Sequence, residues 1–98
     1  MSQATLTSRG ENQFAVSGNM NFATVPELLS QSERLFSAAS AIDIDLSAVL
    51  HADSAGLALL LEWLRYGKHN SKSVHYRNVP AQLRLLAAIS EVESLLEG

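Results

Sequence analysis

Alternation of apolar and polar side chains predicts strands in four parts of the chain. Residues 5–9 and 13–17 have strand composition, and residues 10–12 between them predict the turn of a β-hairpin. Residues 42–46 (IDIDL) alternate bulky apolar side chains with aspartate, which is typical of a central strand with one buried face. Residues 73–77 predict a fourth, short strand.

Helical spacing of apolar residues dominates the rest of the chain. The first helix is predicted over residues 25–38, with Thr24 as its N-cap and Glu27 completing a capping box. A second helix is predicted from Ser54 to about residue 69, where basic residues suit the negative end of the helix dipole. A third helix and a short fourth one are predicted after Pro80.

The order of these elements defines the expected fold. Strands that alternate with helices favour an α/β fold with right-handed crossovers, and the opening hairpin adds one antiparallel strand. We expect residues 1–98 to form a single domain in which about four helices flank a four-stranded mixed, mostly parallel sheet. The side chains expected to be buried between sheet and helices are those of Ile42, Ile44, Leu46, Leu57, Leu60, Leu61 and Leu64.

Composition narrows the class of function. The chain of 98 residues has a formal charge of −3 and scatters its 7 basic residues, which disfavours binding to nucleic acid. It lacks cysteine, and no two of His51, His69 and His75 have a metal-ligand spacing, so neither a metal nor another cofactor is expected. Because only 17% of the residues are charged, we expect some apolar surface to need a partner.

Neither membrane insertion nor catalysis is predicted. The N-terminal residues do not resemble a signal peptide, and the longest apolar run, residues 57–61, is far shorter than the ~20 residues of a membrane span. The chain is therefore expected in the cytoplasm. A Ser-His-Asp set can be written with Ser54, His51 and Asp53, but neighbours on one loop cannot easily adopt the geometry of a catalytic triad. We expect a protein that is not an enzyme.

The start of the second helix is the candidate site. Residues 47–53 predict a loop that leads from the third strand to this helix. Ser54 can cap the free N–H groups of the first turn, Asp53 lies at the positive end of the helix dipole, and Gly56 permits close approach of a backbone or a partner. One interpretation is a helix cap with a tight helix–sheet contact. The other is a functional hydroxyl presented where a phosphate is electrostatically favoured.

The sides of the second helix also predict an interface. With about 100° of rotation per residue, one stripe of leucines faces the sheet: Leu57, Leu60, Leu61 and Leu64. Leu59 and Tyr66 then lie on the opposite side, next to Glu62. We expect these three residues and Ala55 to contact a partner helix, because Tyr is a frequent interface anchor. The alternative is that single exposed apolar residues are simply common.

Two motifs together resemble the signature of the STAS domain family, whose best-known members are the bacterial anti-sigma-factor antagonists. The motifs are the strand IDIDLS at residues 42–47 and the helix start DSAGLALLL at residues 53–61. The resemblance covers nearly the whole chain. It is greatest to the small stand-alone STAS subunits of the Mla lipid-transport ABC systems of Gram-negative envelopes.

The resemblance implies a STAS fold and a non-enzymatic module that binds another protein through the Ser54 end of the second helix. In the Mla systems the equivalent hydroxyl lies at the contact with the ABC-transporter ATPase subunit. That implies a cytoplasmic accessory subunit, peripheral to the inner membrane through its partner, which supports assembly and activity of the complex.

The alternative implied by the same family is an antagonist that binds an anti-sigma factor. In those proteins the partner is a serine kinase that phosphorylates the equivalent hydroxyl and thereby switches binding off, a role that maps onto Ser54. Asn21 stands where the phosphoregulated members usually carry Asp. This loss of a charge near Ser54 shifts weight toward constitutive binding to the ATPase.

Overall fold

A computed structural model describes residues 4–96 and shows one four-stranded sheet in the order β1-β2-β3-β4. The elements in chain order are β1 (Ala4–Gly10), β2 (Gln13–Met20), α1 (Val25–Ser37), β3 (Ile42–Ala52), α2 (Ser54–His69), β4 (Val74–Arg77), α3 (Ala81–Ile89) and α4 (Glu93–Leu96). β1 pairs antiparallel with β2, whereas β2, β3 and β4 are parallel. The predicted α/β fold with a mixed, mostly parallel sheet and four helices is confirmed.

The two crossovers explain why the sheet has one covered face. Both β2-α1-β3 and β3-α2-β4 step in the same direction across the sheet, so right-handed connections place α1 and α2 on the same side. The molecule is correspondingly thin, with a shortest extent of 19 Å. Along β3, Ile42, Ile44 and Leu46 are buried beneath the helices, as their alternation predicts. Asp43 and Asp45 point to the opposite, open face and are only partly buried.

The aspartates of β3 make polar contacts on the open face. Asp43 accepts a hydrogen bond of 2.7 Å from Arg77 Nε on the neighbouring strand. Asp45 accepts from the Ser47 backbone N–H at 2.9 Å and from the Asn78 side chain at 3.0 Å. These hydrogen bonds, with Asn78 the largest cause, lower the pKa of Asp45 from 3.8 to about 2. The two carboxylates therefore hold the strand ends and the β4–α3 connection in place.

β3 is longer than predicted, because two β-bulges interrupt the alternation of apolar and polar residues in its second half. The strand was expected to end at Leu46, but it continues to Ala52. The register with β2 shifts between Ala15 and Ser17, which pair with Asp45 and Ala48, so β3 contains an extra residue there. An extra residue reverses which positions face the helices, and the alternation that starts at Ile42 therefore breaks.

α2 is rotated from its predicted orientation, and the prediction that Leu59 lies away from the sheet is wrong. Leu59 is only 2% exposed. The buried residues of the helix are Gly56, Leu57, Leu59, Leu60, Trp63 and Gly67. Leu57 and Leu60 are buried as predicted, whereas Leu61 and Leu64 are only partly buried. The buried face of α2 is therefore centred on Gly56, Trp63 and Gly67 and not on the predicted stripe of leucines.

Glycine sets this rotation because it permits close contact with the neighbouring strand. A Cβ atom at Gly67 would lie 2.5 Å from Val74 Cγ2 and 2.6 Å from the Lys72 carbonyl oxygen. Beside it, the rings of Phe14, Phe36 and Trp63 form a chain of edge-to-face contacts with centroid separations of 5.0 and 5.5 Å. The aromatic cluster joins β2, α1 and α2 into one core.

Candidate functional site

Ser54 is the first residue of α2, and Asp53 rather than Ser54 is its N-cap. Asp53 has extended backbone geometry, and its Oδ1 accepts a hydrogen bond of 2.9 Å from the Ala55 N–H. The Ser54 side chain is exposed, as expected, and its hydroxyl makes no hydrogen bond to any of residues 4–96. With the capping role filled by its neighbour, this hydroxyl is available to another molecule.

A shallow cleft of about 190 Å³ lies beside Ser54, where β2 and β3 end. Its lining residues are Met20, Asn21, His51, Ala52 and Asp53. The parallel register brings them together, since Met20 pairs with Ala52 and the Asp53 N–H donates to the Met20 carbonyl at 3.1 Å. The structure therefore places Asn21 and Asp53, which are distant in sequence, at one edge of the sheet.

Gly56 contributes to this site by packing rather than by exposure. It is buried, and a Cβ atom there would lie 3.0 Å from Met20 Cβ and 3.1 Å from the Met20 carbonyl oxygen. The close approach that glycine permits is thus to the chain's own β2. Ala55 is partly buried beside it. The tight packing of Gly56 on Met20 sets the position of the first turn of α2 and so where Ser54 is presented.

The loop between β2 and α1 is held by Asn21 and Thr24. Asn21 Oδ1 accepts from the N–H groups of Ala23 and Thr24, at 2.9 and 3.1 Å. The Thr24 hydroxyl donates to the Asn19 carbonyl at 2.7 Å and accepts from the Asn21 N–H at 2.9 Å. The predicted capping box is wrong, because the Thr24 side chain bonds to the loop and caps no N–H group of α1. Asn21 performs with a neutral amide a turn-forming role that a carboxylate would also fill.

Two exposed apolar side chains, each next in sequence to a residue that lines the cleft, were not predicted from the sequence. Phe22, directly after Asn21, is 88% exposed, and Leu50, directly before His51, is 71% exposed. Leu50 is the extra residue of the second β3 bulge, since Gly18 pairs with Val49 and Asn19 with His51. A bulge re-aims the side chain that it carries. We call residues 20–22 and 50–54 together the Ser54 edge.

The remaining predicted contact residues lie further along α2. Glu62 is exposed and forms a 3.8 Å ion pair with the exposed Arg65. Tyr66 is partly buried, with its ring centroid 6.0 Å from that of Phe36 and with Lys72 Nζ 5.7 Å from its own centroid. Leu59, being buried, offers no surface to a partner. The predicted set therefore divides: Asp53 and Ser54 belong to the Ser54 edge, whereas Glu62 and Tyr66 do not.

Residues 4–96 contain no group of three or more His, Cys, Asp or Glu side chains placed to hold a metal ion. Nor does any helix in this part of the chain combine the length and apolar character that crossing a membrane requires.

This order of strands and helices is the fold of anti-sigma factor antagonists. SpoIIAA in its unphosphorylated form superposes with a TM-score of 0.71 at 17% identity, over 93% of this chain and 83% of that one. An anti-sigma factor antagonist from Mycobacterium paratuberculosis superposes with a TM-score of 0.70 at 24% identity, over 95% of this chain and 82% of that one. The chain belongs to the MlaB STAS domain family, whose family model matches residues 4–97. No curated protein sequence matches it.

Proposed function

We propose that this protein is a non-catalytic accessory subunit that binds the ATPase of an Mla-type lipid-transport ABC complex through the Ser54 edge and supports assembly and activity of that complex. The observation that carries the proposal is that the Ser54 edge contains two largely exposed apolar side chains, Phe22 and Leu50, and the exposed, unbonded hydroxyl of Ser54. Membership of the MlaB STAS domain family supports the choice of partner.

The chemistry of the Ser54 edge fits a persistent protein contact. Burying two bulky apolar side chains supplies the kind of anchor that dominates binding energy at interfaces. The cleft offers the Asp53 carboxylate, which already bonds the helix N-terminus, and the Ser54 hydroxyl directly after it is exposed for orientation. Because Asn21 is neutral, Asp53 is the only acidic residue in the described part of the chain that lines the cleft. The proposed contact therefore requires no phosphorylation of Ser54.

A charge introduced at Ser54 tests this proposal. Ser54→Asp is expected to weaken binding to the ATPase subunit by at least about tenfold, because a second carboxylate beside Asp53 would be buried without a partner. The monomer should keep its melting temperature, since a carboxylate is favourable in the first turn of a helix. Ser94→Asp is the matched control: Ser94 is exposed and also lies in a first helical turn, that of α4.

Isothermal titration calorimetry against the purified ATPase subunit measures both variants. Weaker binding by Ser54→Asp, with unchanged binding by Ser94→Asp, supports the proposal. Equal affinities for the two variants would remove Ser54 from the interface.

The second candidate is an anti-sigma-factor antagonist regulated by phosphorylation of Ser54. The exposed hydroxyl at the start of α2 favours it, as does the shared fold with the two antagonists. Incubation with an anti-sigma-factor serine kinase and ATP, followed by intact-mass measurement, separates the candidates. The antagonist role requires one phosphate on the wild-type chain and none on Ser54→Ala. The ATPase-binding proposal expects no phosphate on either.

A further inference from the structure

A second feature, separate from the Ser54 edge, lies between α1 and α2. The helices enclose a groove of about 200 Å³ lined by three apolar side chains, Leu29, Phe36 and Trp63, and by the buried Ser32. Its rim carries two carboxylates, Glu33 and Glu62, together with Tyr66. We call these seven residues the α1–α2 groove. No lysine or arginine lines it within the described part of the chain, so the charges of the lining itself are negative, although Arg65 lies 3.8 Å from Glu62 and Lys72 Nζ lies 5.7 Å from the Tyr66 ring centroid.

The Ser32 hydroxyl donates to the Leu29 carbonyl at 2.6 Å, but other polar groups in this groove lack strong partners. The Trp63 Nε1–H is buried and has no hydrogen-bond acceptor among residues 4–96. An indole N–H buried without an acceptor loses the hydrogen bond that it makes in water, at a cost of about 1–3 kcal/mol. Glu62 has only its long ion pair with the exposed Arg65, and pairs of that kind contribute little. The groove therefore combines an unused donor, two weakly paired carboxylates and three apolar side chains.

We propose that the α1–α2 groove binds a basic, extended peptide segment of a partner protein. An arginine or lysine of the segment pairs with Glu33 and Glu62, because its donors match the carboxylates. A backbone carbonyl of the segment accepts from the Trp63 N–H, and an apolar side chain packs against Leu29, which is 38% exposed. Because the Trp63 N–H is buried, entry of the segment requires rotamer changes at the exposed glutamates and the partly buried Tyr66.

Other occupants meet only part of this chemistry. A polyamine supplies cations but no acceptor for the indole N–H. An acidic segment supplies acceptors but is repelled by Glu33 and Glu62. A basic polypeptide supplies the cation, the carbonyl and the apolar side chain together, which is why the groove selects this class of partner.

Nuclear magnetic resonance tests the site directly, because Trp63 is the chain's only tryptophan and gives a single indole cross-peak. The probe is the peptide acetyl-Ala-Arg-Leu-Arg-Ala-amide, titrated to millimolar concentration into the ¹⁵N-labelled full chain. A saturable downfield shift of the indole proton is expected, since the indole N–H gains a hydrogen bond. The same peptide with citrulline in place of both arginines keeps the shape and removes the charge, so it should bind more weakly.

Variants assign the effect to the rim carboxylates. Glu33→Gln/Glu62→Gln should weaken binding of the arginine peptide by about tenfold, the sum of two modest ion pairs. The control Glu11→Gln/Glu91→Gln removes the same charge from exposed residues outside the groove and should leave the affinity unchanged. Absence of a saturable indole shift, equal affinities for the two double variants, or equal binding of the citrulline peptide would each overturn the proposal. The ATPase is not used, so this result is independent of the proposed function.

Discussion

Truncation of Leu59 is expected to damage the core rather than an interface. Replacing Leu59 by Ala removes three carbon atoms from a side chain that is 2% exposed. At about 0.8 kcal/mol for each buried carbon, the lost transfer free energy is about 2.4 kcal/mol. The cavity left between α2 and its neighbours adds to this, and the total is about 3 kcal/mol. For a chain of this length the melting temperature should fall by about 15 °C.

Leu61→Ala provides the matched comparison, because it makes the same chemical change two positions along the same helix. Leu61 is partly buried, so its truncation should cost about 1 kcal/mol. Urea unfolding followed by circular dichroism measures the free energy of unfolding of both variants. A larger loss for Leu61→Ala than for Leu59→Ala would show that the leucine stripe faces the sheet after all, and would contradict the burial of Leu59 in the core.

Three further predictions concern stability. Gly67→Ala should destabilise the fold by about 2 kcal/mol despite the better helix propensity of alanine, because its Cβ would collide with Val74 and the Lys72 carbonyl. Thermal melts measure this change. An increase in melting temperature would contradict the close packing of Gly67 against these two residues. The pKa of Asp45 is about 2 in the folded state and 3.8 in the unfolded state, so the stability that its carboxylate contributes is full above the unfolded value and is lost as the pH falls through about 2. Urea unfolding between these pH values should show a smaller decrease in the free energy of unfolding with falling pH for Asp45→Asn than for the wild type. An equal decrease for the two proteins would contradict the stabilising role of the Asp45 hydrogen bonds. Tyr76→Phe should cost about 1 kcal/mol in the same assay, since its hydroxyl donates to the Leu60 carbonyl at 2.6 Å; no measurable loss would show that this bond contributes nothing.

The fold could be predicted from the sequence because its signals are local and agree with one another. Alternation over residues 42–46 identifies the central strand, and the Asp-Ser start of α2 follows from helix-capping chemistry. The strand and the start of α2 at Ser54 were found in the structure, but the capping side chain is that of Asp53 and not, as predicted, that of Ser54. The hairpin, the mixed sheet and the number of helices follow from the order of elements.

The parts that could not be predicted depend on non-local packing. The rotation of α2 follows from Gly56 and Gly67, because the absence of a side chain lets Met20 and Val74 approach the helix closely. Glycine does not contribute to the pattern of hydrophobic residues, so this packing could not be inferred from the periodicity. The exposure of Leu50 follows from a bulge that exists only in the pairing of β3 with β2. Phe22 carried a signal that could have been used, since it is a large apolar residue inside a turn with no helical or strand periodicity.

The central claim is that the Ser54 edge binds the ATPase, and one pair of variants tests it most directly. Phe22→Ser/Leu50→Ser alters two side chains of that edge that are 88% and 71% exposed. Leu85→Ser/Ile89→Ser makes equally polar changes on α3, at side chains that are 62% and 71% exposed. Neither pair should change the melting temperature much, because all four side chains lie at the surface.

Calorimetric titration of the ATPase subunit with each double variant is the measurement. If the two edge residues are anchors of about 1–2 kcal/mol each, the first variant should bind about 100-fold more weakly than wild type. The α3 variant should bind as wild type does. Wild-type affinity for Phe22→Ser/Leu50→Ser, or a loss confined to Leu85→Ser/Ile89→Ser, would contradict the assignment of the interface to the Ser54 edge.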